Sequence, residues 1–278
     1  MQKLYKRLNK PLVPGLLGIE VEVESKNDLP RGAWVDDPDH DHPPSLGAWY
    51  VERDGSLRGE SAEYVLKKPL SLPAAMTAIS DLRKKLENCE LIWSFRTSVH
   101  VHVNVLNMTL EQIKCLIYTY LLLEEVMVHF CGEGRVANRF CLRVTDAEAV
   151  VEALSVFFAS PEFNFPRQDA YRYSSLNLDA LRKFGSIEFR AMRGTLDKDV
   201  LDVWVNALVR LRSFSMKYKS VNEIASKFVN TPDEQFLVDV FGEQIAKAIM
   251  PENGNLSAMM SETYSLTMAL LLADKGIK

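Results

Sequence analysis

The sequence predicts an α+β fold with a mainly antiparallel sheet, flanking helices and a helical C-terminal region. Three observations support this. Strand-like alternation is confined to the first two thirds of the 278 residues. Helical runs interrupt the strands irregularly instead of following each one, which argues against repeating βαβ units. The strands also carry ionisable groups at every second position, so one face is apolar and the other polar, as an antiparallel sheet allows.

In chain order, residues 1–15 read as a polar lead-in and residues 16–25 as the first strand. Residues 26–46 form a loop rich in Asp, Pro and His. Residues 48–54 alternate, Asp54-Gly55 signals a turn, and residues 62–68 return as a strand that stops at Pro69, giving a hairpin. Residues 71–89 read as a helix with Ser71 as N-cap and Pro73 in its first turn. Residues 99–106 form the next strand. Thr109, with Gln112 three residues on, is a capping box that opens an apolar helix to about residue 131. A further helix opens at 145–148 and runs to about 159. Residues 171–177 and 186–192 alternate as two strands expected to pair through the connection 179–185. Capping signals at Ser220 and Thr231 divide the remainder into helices over 196–216, 221–228, 232–250 and 255–273.

Composition removes several classes of function. A net charge of −4 argues against sequence-independent nucleic-acid binding, which relies on Lys and Arg contacts to phosphate. The four cysteines have no C-x-x-C spacing and read as reduced thiols of a cytoplasmic protein. The longest apolar runs, near 115–123 and 268–273, are too short to span a membrane. The basic start is followed by Pro11, Pro14 and Glu20, not by the apolar core of a secretory signal.

The chemistry concentrates on three strands. L-G-I-E-V-E-V-E-S places Glu20, Glu22 and Glu24 on one face, T-S-V-H-V-H-V-N does the same for His100 and His102, and S-I-E-F-R-A-M for Glu188 and Arg190. Like charges side by side on a strand repel, so this pattern needs a reason. One is a solvated outer face. The other is a shared cation-binding face, where clustered ionisable groups mark a site. Carboxylate oxygens suit Mg²⁺ or Mn²⁺, and Glu63 and Glu60 would join if the hairpin lies beside the first strand. Zinc fits less well without a Cys–His cluster or H-E-x-x-H. Arg190 is either an ion-pair partner or a clamp on a transferring phosphoryl group. Arg139, Arg143, Arg172 and Arg193 are further cations, and no Walker A or G-x-G-x-x-G sequence is present. Asp39, His40, Asp41 and His42 form an extra metal site, a lid or a solvated loop.

These motifs carry a resemblance. T-S-V-H-V-H-V-N and G-S-I-E-F-R resemble the H-x-H and E-h-R strands of the glutamine synthetase superfamily. G-I-E-V-E, V-E-R-D-G-S-L, A-E-Y-V-L-K-K-P, N-R-F-C-L-R and R-Y-S-S-L-N-L follow in the order found in the amidoligase family, a compact branch of the carboxylate–amine ligases. The match runs from about Gly18 to Trp204. It implies a curved, glutamine synthetase-like sheet, a catalytic region over 1–204 and a helical extension over 205–278 packed on the same domain. It further implies ATP-dependent ligation of a small-molecule or peptide carboxylate to an amine, with two Mg²⁺ or Mn²⁺ ions. Glu20, Glu22, Glu63, His100 and Glu188 match metal-ligand positions. His102 matches a nucleotide contact and Arg190 a phosphate contact. Arg139 and Arg143 match family arginines on the cofactor side, and Arg172 one on the catalytic side. Glu24 has no counterpart in the family pattern. A phosphotransferase on the same fold, an inactive ligase-like binding scaffold and a metal-dependent hydrolase are the competing readings, and a monomer or homodimer is expected.

Overall fold

The computed structural model describes residues 2–33, 42–163, 169–251 and 255–276. A short helix α1 (Leu4–Arg7) precedes strand β1 (Leu17–Ser25). Strands β2 (Ser45–Leu46), β3 (Trp49–Glu52) and β4 (Glu60–Leu66) follow, then helix α2 (Leu72–Lys85), β5 (Leu91–Ile92) and β6 (Val99–Asn104). Helix α3 (Leu110–Phe130) leads through short 3-10 turns to α4 (Glu148–Ala159). Next come β7 (Leu176–Asn177), α5 (Asp179–Lys183) and β8 (Ser186–Phe189). The chain continues as α6 (Lys198–Ser215), α7 (Val221–Val229), α8 (Asp233–Phe241), α9 (Glu243–Ile249), α10 (Leu256–Ser261) and α11 (Tyr264–Asp274).

Among the described residues the strands form one open sheet in the order β2-β3-β4-β1-β6-β8-β7, with β5 added beside the end of β1. Each of these strand pairs is antiparallel. The alternation read from the sequence becomes a two-sided sheet. Ile19, Val21, Val23, Val99, Val101, Val103, Ile187 and Phe189 are buried in one apolar core. Helices α2 and α6 lie against this side. Trp49 Nε1 donates to the Ala78 carbonyl at 3.2 Å, and the Tyr120 ring of α3 meets the Phe189 ring edge-on at 5.2 Å. The other face carries the ionisable side chains.

The Thr109 capping box forms as expected: Thr109 Oγ1 accepts from Gln112 N, and the Gln112 side chain accepts from Thr109 N. Helix α3 is buried along most of its length between the sheet and the C-terminal helices, which share the same core. Its buried Lys114 is satisfied by Asp274 at 2.7 Å and the Phe158 carbonyl at 2.8 Å.

Four expectations change. The lead-in is not merely polar: Leu4 is buried, and Leu4 N and Tyr5 N donate to the Met108 and Leu106 carbonyls at 2.8 and 2.9 Å. The strand expected over 171–177 shortens to Leu176–Asn177, after a 3-10 turn over Asp169–Tyr173. Here the backbone around Tyr173 and Ser175 bonds to Leu142 instead of to a strand. The helix expected over 232–250 divides at Gly242, whose φ of +76° ends α8. The one expected over 255–273 divides near buried Thr263, whose hydroxyl donates to the Leu121 carbonyl of α3 at 2.7 Å.

Candidate active site

The polar face is assembled by register. Across β1 and β6, Glu20 stands opposite His100 and Gly18 opposite His102. Across β6 and β8, His102 stands opposite Glu188, and across β1 and β4, Glu22 stands opposite Glu63. Residues far apart in sequence thus become neighbours because each strand alternates with period two. Gly18 leaves room for an imidazole: a Cβ there would stand 3.3 Å from the Cβ of His102.

Glu20 joins the two histidines, with Oε2 3.2 Å from His100 Nδ1 and Oε1 3.1 Å from His102 Nε2. His100 Nδ1 is also 3.6 Å from Glu188 Oε1 and 3.3 Å from Arg190 Nη1. Ser98 donates its one hydroxyl proton to Glu22, so His100 Nε2, 2.6 Å away, must be the donor to Ser98 Oγ. Glu188 is ion-paired with Arg190 and accepts from Asn177 Nδ2 at 2.7 Å. His102 Nδ1 lies 3.2 Å from Ser186 Oγ. Glu22, His100 and Glu188 are all buried, and Arg190 Nε is buried with no hydrogen-bond partner among the described residues.

Burial disfavours the charged form of every carboxyl here, and the neighbours decide the outcome. At Glu20 hydrogen bonds and charge from His100 and His102 outweigh burial and hold the carboxyl well below its usual range. At Glu188 the Arg190 and His102 charges likewise overcome burial. Burial works against His102 protonation too, but Glu188 and Glu20 raise its pKa. Glu63 has no such help: burial, then the charges of Glu20, Glu22, Asp54 and Glu52, push it up to about 9.

Two donor sets share Glu20. One is Glu20, Glu63 and His100, and the other Glu20, His102 and Glu188; in each, the ligand atoms lie within 4.8 Å of one another. Carboxylate oxygens with one imidazole fit a hard divalent cation such as Mg²⁺ or Mn²⁺. An excess of acid strong enough to protonate Glu63 is what an added cation would relieve. Beside Glu20 and His102 opens a cleft of about 230 Å³, lined by Val13, Leu16, Val65, Phe184 and the two lysines Lys67 and Lys68.

A family model described as "Putative amidoligase enzyme" matches residues 18–211. The chain belongs to the amidoligase family. No curated protein matches it. The family match begins at the second residue of β1, takes in all the later strands described above and ends inside α6.

The structure brings Glu20, Glu22, Glu63, His100, His102, Glu188 and Arg190 together on one face of this amidoligase sheet. The other candidates lie elsewhere. Glu60 pairs with Arg31 at 2.5 Å and accepts from Leu29 N. Glu24 is buried and accepts from Arg58 N at 2.8 Å, which holds the turn after β3. Arg143 is matched by Glu125 at 2.6 Å and Asp146 at 2.9 Å. Arg139 and Arg172 are exposed, each over the ring of an adjacent aromatic. Of the Asp39–His42 set only His42 lies within the described residues, stacked on Tyr50 at 5.5 Å. Ser98, Asn177 and Ser186, which orient the histidines and Glu188, were not among the expected site residues. Their signal is spacing alone: Ser98 precedes His100 by two, and Ser186 precedes Glu188 by two.

Proposed function

We propose that this amidoligase is an ATP-dependent carboxylate–amine ligase with a glutamine synthetase-like sheet and two divalent-cation positions. The observation that carries the reading is the pair of donor sets sharing Glu20, with the Arg190 guanidinium beside them. Glu20, Glu22, Glu63, His100, His102 and Glu188 supply the donors. Bound there, Mg²⁺ or Mn²⁺ would offset the repulsion between a polyphosphate and an incoming carboxylate.

In the proposed reaction a carboxylate oxygen of the substrate attacks the γ-phosphorus of ATP. The new O–P bond forms as the bond to the bridging oxygen breaks, and ADP leaves. The nitrogen of an amine or ammonia then attacks the acyl carbon, the C–O bond to phosphate breaks, and the nitrogen loses a proton to a general base. Phosphate is the leaving group that a bare carboxylate lacks. Arg190 contributes fixed positive charge where the phosphoryl group develops negative charge, and its orientation is held by Glu188, itself held by Asn177. Ser98 and Glu20 fix the His100 ring from both nitrogens. The cleft beside His102, below the size of a drug-sized ligand pocket, suits a nucleobase, and Lys67 and Lys68 at its edge suit polyphosphate. The protein would act in the cytoplasm as a monomer or homodimer on small-molecule or peptide substrates.

The test is ADP release with Mg²⁺ or Mn²⁺ over pooled amino acids and peptides, with Glu188→Ala and His100→Ala in parallel. Substrate-stimulated ADP release with a matching amide product, lost in both variants by about a thousandfold or more, is expected. Calorimetry that finds neither cation nor ATP binding overturns the reading. Phosphoryl transfer without an amide would make it a phosphotransferase.

A further inference from the structure

Three Arg–aromatic neighbours in sequence, Phe95-Arg96, Arg139-Phe140 and Arg172-Tyr173, stand on separate segments and repeat one geometry. The Arg96 guanidinium lies 5.0 Å from the Phe95 ring and 5.3 Å from the Phe140 ring. Arg139 lies 4.9 Å from the Phe140 ring, and Arg172 lies 5.3 Å from the Tyr173 ring. Phe95 and Phe140 stack at 6.1 Å. Phe95 is 57% exposed and Tyr173 43% exposed. Among the described residues none of the three guanidiniums is ion-paired with a carboxylate, in a protein whose acidic residues outnumber its basic ones.

The segments are tied to one another and to the site. Asn138 Nδ2 donates to the Phe95 carbonyl at 2.9 Å, and Leu142 N to the Tyr173 carbonyl at 2.8 Å. Arg96 stands two residues before Ser98, which bonds Glu22 and His100. Tyr173 stands two residues before Ser175, whose carbonyl accepts from Arg190 N at 2.8 Å. Arg139 follows a turn in which Arg135 donates to the Arg190 and Ala191 carbonyls at 2.9 and 2.8 Å. Each guanidinium is therefore anchored within a few residues of a group that braces the Arg190 end of the site. Arg96 is half-buried between the Phe95 and Phe140 rings and donates Nη1 to the Ser56 carbonyl at 3.0 Å, whereas Arg139 and Arg172 are exposed. An exposed guanidinium resting on an aromatic face keeps its outward N–H groups for a carboxylate, with little side-chain entropy left to lose on binding.

We infer that the exposed Arg139 and Arg172, with Arg96 bracing Phe95 and Phe140 from behind and Tyr173 beside Arg172, form a preorganised rim that binds an acidic peptide segment and delivers one of its carboxylates to the site. The acyl donor is thus a carboxylate-rich peptide, not a free amino acid. A rim of this kind answers an electrostatic problem. A face crowded with carboxylates repels an anionic substrate, and unpaired cations at its edge raise the local concentration of that substrate. Arg139 and Arg172 then contact substrate, not cofactor. The inference rests on the ligase reading only in taking the bound carboxylate as the acyl donor. The rim itself can be tested without turnover.

The experiment measures fluorescence anisotropy of the full chain with three labelled probes: a peptide of alternating Glu and Gly, its Gln–Gly counterpart, and a single-stranded oligodeoxynucleotide of matched charge. Arg139→Ala/Arg172→Ala and, separately, Phe95→Ala are compared with the wild type, and calorimetry follows Mg²⁺ and ATP on the same samples. The Glu–Gly peptide is expected to bind, the Gln–Gly peptide to bind at least about tenfold more weakly, and the double variant to lose about tenfold while Mg²⁺ and ATP affinities hold. Equal binding of the two peptides, or an unchanged double variant, overturns the inference. Tighter binding of the oligonucleotide also overturns it, because the rim would then be a nucleic-acid contact. Peptide binding as expected with no Mg²⁺ or ATP binding would leave the rim in place and remove the ligase reading instead.

Discussion

Glu20 and Glu63 project from neighbouring antiparallel strands onto the same face, yet their carboxyls are driven in opposite directions. Glu20 faces two imidazoles and is held well below its ordinary range, whereas Glu63 is pushed up to about 9 by burial and then by the charges of Glu20, Glu22, Asp54 and Glu52. The difference divides the face into two halves. On the β6–β8 side, His100, His102 and Arg190 already balance the acids. On the β3–β4 side no described cation does so. Burial raises both carboxyls, and the charges that the register places opposite decide whether that rise is reversed, as at Glu20, or added to, as at Glu63.

The strongest way to break the contrast is to remove the cation of the balanced half. Arg190→Met leaves buried Glu188 with its guanidinium gone. The Glu188 pKa should rise, and the fold should lose about 3–5 kcal/mol in chemical denaturation. Any ADP-forming activity should fall by a thousandfold or so beyond the change expected from stability alone.

The unbalanced half can be sharpened through pH. A carboxyl raised to about 9 must give up its proton before it can ligate a cation. Below pH 9, Mg²⁺ or Mn²⁺ affinity should therefore rise with pH, by up to about tenfold per unit, in isothermal titration. Glu63→Gln should weaken binding and flatten that slope. The sign is the same in stability. The unfolded chain ionises Glu63 near its ordinary pKa while the cation-free folded chain does not, so the folded state loses stability as pH rises from that value toward about 9. Added cation should restore it most at the alkaline end.

The smallest of these effects tests the same rule inside the core. Glu124 of α3 is fully buried, accepts from Ser175 Oγ and Val144 N, and is still pushed up to about 7 by burial. Its folded pKa lies above its unfolded one, so it costs nothing at pH below the unfolded value and its full penalty above pH 7. Glu124→Gln keeps an oxygen for both donors. It should stabilise the fold by about 1–3 kcal/mol at pH 8, with the gain fading as pH falls toward 4.5, in melts across that range.

Much of the working face was legible in the sequence because strand periodicity is local. Glu20, Glu22, His100, His102, Glu188 and Arg190 could be assigned a face from spacing alone, and the structure only had to bring three strands into register. What was not legible depended on distant partners. Glu60 alternates like a ligand but is captured by Arg31. Ser98 and Asn177 gain their meaning from Glu22 and Glu188, each many residues or one hairpin away. The short strand at Leu176 was overestimated because its upstream backbone finds Leu142 instead, a loop contact no periodicity encodes. Gly242 and Thr263 divided helices that apolar spacing alone had run together.

The alternation of β1 has a consequence for how the chain reaches its fold. Shifting β1 by one residue against β4 or β6 would turn Glu20, Glu22 and Glu24 into the apolar layer and expose Ile19, Val21 and Val23. A mispaired chain would then have to bury three carboxylates in the apolar layer, so the off-register pairing carries a heavy desolvation penalty. The row of acids thus fixes the pairing of the sheet as well as forming its polar face.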